Sequence, residues 1–150
     1  MCNFFSAVIG HKHRKIYYDI DLDSHTDIMD RFKIKDEKEE PNFVKIEFLP
    51  QNGDVFDHRR ENWKVTIDEI VGQKSIPAWY DEKRAEDQAW EALQDVIAKR
   101  FLVGAKDCEI TEGRWYVHSG TIKAVWGGTI KDVMGGTIKD VMGGTIKAVW

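Results

Sequence analysis

Two cysteines in 150 residues, Cys2 and Cys108, cannot form the disulfide framework of a small secreted domain. Long apolar runs are also missing. Phe4–Ile9 is among the longest, far below the roughly 20 residues of a membrane span, so no membrane role is expected. No basic stretch precedes that run as in a secretory leader, and a cytoplasmic location is expected. Positive charge is scarce. The chain carries −4 overall, and from Ser119 onward four lysines face two aspartates, so that +2 in the tail leaves −6 for residues 1–118. Such a body is a poor partner for polyanions, and nucleic acid is not expected as a partner. No P-loop, nucleotide-binding glycine signature, Gly-x-Ser-x-Gly elbow or zinc-type cysteine spacing occurs, so no cofactor or metal is implied and the balance leans away from an enzyme.

What the sequence does contain is a repeat. Residues Ser119–Trp150 read as four octapeptides, SGTIKAVW, GGTIKDVM, GGTIKDVM and GGTIKAVW. Thr, Ile and Val favour strands, and a Gly-Gly step every eight residues supplies the positive φ of a tight turn, so the units should stack as rungs of a short β-solenoid. Ile122, Ile130, Ile138 and Ile146 share one octad position, and Val125, Val133, Val141 and Val149 another three residues on. A flat strand would put these on opposite faces, so a bend at Ala124, Asp132, Asp140 and Ala148 is needed to turn both inward. If two octads make one coil, Trp126 lies over Met142 and Met134 over Trp150. The lysines Lys123, Lys131, Lys139 and Lys147 would line the outside as solvated ladders that protect the strand edges.

Ahead of the repeat the pattern is mixed. Cys2–Ile9 and Lys15–Ile20 suggest a β-hairpin across the basic turn His11–Arg14. Ser24, with Asp27 three residues on, caps a helix whose apolar face is Ile28, Met29 and Phe32. Val44, Ile46 and Phe48 alternate with Lys45 and Glu47 as a half-buried strand, and Trp63, Val65 and Ile67 alternate again after the Asn52-Gly53 turn. Val55 and Phe56 could extend this second strand past a bulge. Ile76–Tyr80 opens a long helix, with Ala89, Trp90, Leu93, Val96, Ile97 and Phe101 on one face and Gly104 at its end. Cys108–Val117 reads as one strand leading into the solenoid. The expected fold class is α+β: a two-layer, sandwich-like domain over residues 1–110, its sheet covered on one side by the helices, followed by the solenoid over 111–150.

Three segments hold groups capable of chemistry. Cys2, if the initiator Met were removed, would place a thiol beside an α-amine, the arrangement of N-terminal nucleophiles; a buried strand cysteine is the plainer reading. The first two residues look like the Met-Cys opening of class II glutamine amidotransferases and of the abasic-site crosslinking domain, which continue with Gly where Asn3 stands here. Asp19, Asp21, Asp23, His25 and Asp27, with His11 and His13 one turn away, offer carboxylates and imidazoles to a cation, but at no known ligand spacing. The loop Asp54–Glu61 collects Asp57, His58, Arg59, Arg60 and Glu61, the groups of an acid–base or phosphate site and equally of an ordinary surface connection. An alternative function follows from these three: a hydrolase, or a protein that sequesters a small, nucleotide-like ligand. Cys2, His25 and His58 would be its catalytic candidates, and Asp19, Asp21, Arg59 and Arg60 its ligand-binding ones.

The combination of MCNFFSAVI, DSHTDIMDRF, IPAWYDE and GGTIKDV-type octads resembles a group of bacteriophage and gut-bacterial proteins without an assigned activity. That resemblance implies a phage or mobile-element accessory protein, acting in the host cytoplasm, and no catalytic residues. With the regular tail, it favours a non-enzymatic protein that binds a host or phage protein and assembles through its repeat. A homodimer is expected through Gly143–Trp150, with Ile146, Val149, Trp150, Trp126 and Met142 at the interface.

Overall fold

The computed structural model describes residues 5–35, 42–68 and 76–149. The chain is mixed α/β and forms two compact units, Met1–Gln94 and Asp95–Trp150.

In the first unit, strand β1 (Phe5–Gly10) pairs antiparallel with the short β2 (Ile16–Tyr17) across a single 3₁₀ turn, Lys12–Arg14, which is the expected hairpin. Helix α1 (His25–Arg31) starts as its sequence dictates: the Ser24 hydroxyl accepts the Asp27 backbone N–H at 3.4 Å. Strands β3 (Phe43–Pro50) and β4 (Trp63–Ile67) complete an antiparallel sheet in the order β2-β1-β3-β4. Trp63 lies opposite Pro50, so Val55 and Phe56 belong to the connecting loop and do not lengthen β4 as expected. Asn52 and Asn62 hold that loop closed through their amides, at 2.9 and 3.1 Å, and remove the need for a bulged strand.

The register sorts the sheet into two faces. Phe5, Ala7, Ile9, Val44, Ile46, Phe48 and Val65 share one, and Val8, Tyr17, Phe43 and Lys45 share the other. Ile28 of α1 packs with Val8 and Phe43, while Phe48 on the opposite face meets Trp90 edge-on at 6.5 Å. Trp90 belongs to helix α2 (Glu82–Arg100). The two helices therefore meet opposite faces, not one shared face. The sequence basis is β1 itself: FSAVIG has no polar alternation, and it is buried at every position, as a strand covered on both sides must be.

Helix α2 starts at Glu82, later than expected, because Ile76–Asp81 form a turn in which the Tyr80 N–H donates to the Pro77 carbonyl and the Asp81 carboxylate accepts the Arg84 backbone N–H at 3.1 Å. Ala85, Ala89, Ala92, Leu93 and Val96 are buried along it, and Trp90 and Ile97 are half-buried. The helix ends at Arg100, and Phe101 and Gly104 lie beyond it in strand and turn.

The second unit contains a β-solenoid of about 3 turns over residues 101–146. Its strands are β5 (Phe101–Leu102), β6 (Ala105–Ile110), β7 (Arg114–Val117), β8 (Gly120–Val125), β9 (Thr129–Val133), β10 (Thr137–Val141) and β11 (Thr145–Ile146). They form two parallel sheets, β10-β8-β6 and β11-β9-β7-β5. Thr137 pairs with Thr121, Ile138 with Ile122 and Thr145 with Thr129, so two octads make one coil, as expected. Ile122, Val125, Ile130 and Val133 enclose one apolar core, so the bend between Ile and Val does turn both inward.

The solenoid strands begin at Phe101, ahead of the 110/111 boundary expected from the octads, because the first coil is built from sequence that does not repeat. Cys108 stacks on Ile122, Ile110 on Val125, Trp115 on Ile130 and Val117 on Val133. The single strand expected over Cys108–Val117 is therefore two, divided at Gly113, whose φ is +85°. Within the octads the second glycine of each step carries the positive φ. At Gly128 φ is +82°, and an added Cβ would sit 2.6 Å from the Gly113 carbonyl oxygen of the coil beneath, so side chains are excluded twice over.

Candidate functional site

The structure disperses the residues expected to carry chemistry. Cys2 lies outside the described residues, as does Trp150. His25 is the buried first residue of α1, with its side chain 1% exposed. Its Nε2 is 2.8 Å from the Ile46 carbonyl and its Nδ1 3.1 Å from an Asp68 carboxylate oxygen. With both nitrogens engaged, the ring has none to offer a substrate; it ties α1 to the sheet. Asp19 accepts the Asp21 backbone N–H at 2.9 Å and pairs with Arg31, which makes it the anchor of a turn. No group of three or more His, Cys, Asp or Glu side chains suited to a metal occurs among the described residues.

The loop Asp54–Glu61 is closed on itself. Arg59 grips Asp57 with two guanidinium nitrogens, at 2.9 and 2.6 Å, and Asn52 donates to the same carboxylate at 2.8 Å. The Arg59 hydrogen bond, ahead of every other cause, holds the Asp57 carboxyl well below the usual carboxylate range. His58 Nε2 faces the Val55 carbonyl at 3.0 Å, and Arg60 pairs with Asp87 of α2 while its guanidinium lies over the Trp90 ring. A loop this fully paired serves as a brace.

Cys108 faces the solenoid core, where burial pushes its thiol up and away from the reactive thiolate. Lys123 and Lys139 reach Glu109 and Asp107 at 3.6 and 3.0 Å, so these ladder lysines are neutralised on their own sheet. Of the expected interface residues, Trp126, Met142 and Val149 are exposed and Ile146 is half-buried.

Sequence reading missed a cleft of about 500 Å³ on the first unit, between the edge strand β2 and α2. Arg84, Gln88 and Glu91 line it from one row of the helix, and Arg14, Lys15 and Tyr18 from the hairpin. Gln88 donates its amide N–H to the Arg14 carbonyl at 2.7 Å, which leaves its Oε1 buried and without a partner. The hairpin turn is held in place by His11, whose ring stacks on Trp79 at 4.9 Å. Asp19, His25 and the Asp54–Glu61 loop contribute nothing to this cleft. No protein-family model, curated protein or solved structure matches the chain.

Proposed function

We propose that the protein is a non-enzymatic binding protein whose solenoid is an assembly element, joining two copies of the chain through the last coil. One comparison carries this reading. At the same octad position Val125 and Val133 are 0% and 5% exposed, whereas Val141 and Val149 are 53% and 72% exposed. β10 and β11 end their sheets, so core-type valines and unpaired strand edges lie together. The opposite end is guarded: β6 slips register around Asp107, a bulge that discourages further pairing.

A second copy fits this edge by its own sequence. A two-fold axis along the sheet normals would run β10 antiparallel to β10 of the second copy and β11 to β11. Setting Ile138 against Val141 of the other chain also sets Lys139 against its Asp140. In the second sheet the same operation sets Ile146 against Val149. Apolar residues meet inward and opposite charges meet outward, which is self-complementary. A phage or mobile-element accessory role, implied by the sequence resemblance, accords with such a module, the first unit being the part that meets a host or phage protein.

Sedimentation velocity on the 150-residue chain, beside Val141→Asp/Val149→Asp, tests the assembly. The unsubstituted chain should sediment as a dimer at micromolar concentration and the double variant as a folded monomer. A monomeric unsubstituted chain, or a variant that still dimerises, overturns the reading.

A further inference from the structure

We propose that the cleft between β2 and α2 binds a small organic phosphate of nucleotide size, independently of any assembly through the solenoid. The first observation is charge left unspent. Arg31, Arg59 and Arg60 of the same unit are each paired with a carboxylate, Asp19, Asp57 and Asp87. Arg14 and Arg84 make no ion pair among the described residues, and both line this one cleft, with Lys15 beside them. Two arginines lining one hollow, in a segment of net negative charge, match a phosphate, which guanidinium forks bind bidentately; the Lys15 ammonium lies over the Tyr17 ring and is not counted with them.

Backbone strain is the second observation. Arg14 has a φ of +45°, a conformation uncommon for a residue other than glycine. The tertiary structure imposes it: the Arg14 N–H donates to the His11 carbonyl at 3.2 Å, His11 stacks on Trp79, and Gln88 holds the Arg14 carbonyl from α2. Strain of this kind, fixed by three separate elements, is characteristic of positions held for binding.

The third observation orients the ligand. Along α2 the cleft runs from Arg84 past Gln88 to Glu91, spacings of four and three residues that cover about 10 Å of helix. Cation, neutral acceptor and anion follow one another. The Gln88 Oε1 is buried and lacks a donor, and the Glu91 carboxylate beyond it also accepts. A phosphate at the Arg84 end therefore calls for hydrogen-bond donors at the other, hydroxyls or an amine, with the Tyr18 ring and Ile16 and Ala92 as the apolar surface between. A nucleoside monophosphate has this order of groups. Asp81 lines a small adjoining hollow and is occupied in accepting the Arg84 backbone N–H.

The test uses the intact chain with adenosine monophosphate as probe, and adenosine and inorganic phosphate as controls, followed by isothermal titration and by the Arg Nε resonances. Adenosine monophosphate should bind and shift the Arg14 and Arg84 signals, with adenosine at least tenfold weaker. Arg84→Gln, on the exposed side of α2, should weaken the nucleotide at least tenfold with its circular dichroism unchanged, and Arg31→Gln should leave binding as it was. Glu91→Gln should weaken the nucleotide and leave inorganic phosphate unaffected. Absence of nucleotide binding, equal binding of adenosine, or binding indifferent to Arg84→Gln overturns the proposal.

Discussion

The imidazole of His25 lies 3.1 Å from the carboxylate of Asp68 and 2.8 Å from the carbonyl of Ile46, so that one ring joins the end of β4 to the central strand β3. A neutral ring donates to one of these acceptors and a protonated ring to both. Removing it strands both groups and leaves a hole beside Ile28. His25→Ala should therefore cost about 1–3 kcal/mol or more, as expected when buried polar groups lose their partner. The denaturation midpoint measures it. A change within about 0.5 kcal/mol, the usual span of surface substitutions, would place the ring outside the fold's support.

His25 also shows where sequence reading stopped short. Its cap was legible, since Ser24 and Asp27 act locally, but the acceptors of its ring lie 21 and 43 positions on, beyond any local pattern. The octads were legible for the opposite reason: identical units must stack in identical register, and Ile122 under Ile138 follows from the period. The first coil hid because Cys108 and Trp115 occupy the Ile positions, and because its strands pair mostly at a spacing of 15 residues, as in Ala105 with Gly120 and Trp115 with Ile130, reaching the octads' 16 only from Tyr116 and Asp132 on. The cleft hid behind an average, for the net charge of residues 1–118 conceals two cations that are 70 positions apart in the chain and share one hollow.

Asp57 makes the acid limb of stability testable. Its folded-state pKa is depressed by Arg59, so the pairing stabilises the fold at pH values above the unfolded value, 3.8, and is lost as pH falls below it. Asp57→Asn should lower the urea midpoint at pH 7 and lower it by less at pH 2, where part of the pairing's contribution has gone. Equal losses at both pH values would assign the effect to the amide's fit and not to the charge.

The glycines separate strain from packing. Gly53 has a φ of +76° with open space around its Cβ position, so Gly53→Ala should cost only the left-handed strain, about 1–2 kcal/mol. Gly128→Ala adds the collision with the Gly113 carbonyl of the neighbouring coil and should cost clearly more, with β-sheet signal lost from the solenoid by circular dichroism. Equal costs at the two positions would mean that the coils are not in contact at that turn.

The proposed two-fold has a register, and the register can be swapped. Antiparallel pairing of β10 with its copy places Lys139 against Asp140 twice, once from each chain, and opposite charges facing across strands contribute up to about 1 kcal/mol a pair. Lys139→Asp sets two aspartates face to face, and Asp140→Lys two lysines, so each should weaken association by roughly tenfold or more. Within its own chain Lys139 also pairs with Asp107, a contact that the first substitution removes. The double variant Lys139→Asp/Asp140→Lys loses that contact too, yet restores opposite charges across the two-fold. Recovery of dimer affinity in the double variant, read from sedimentation equilibrium, therefore isolates the interchain pairing from any effect on the monomer. A double variant no tighter than either single one would rule out this register, and with it the two-fold that the alternation of Lys and Asp along the strand supports.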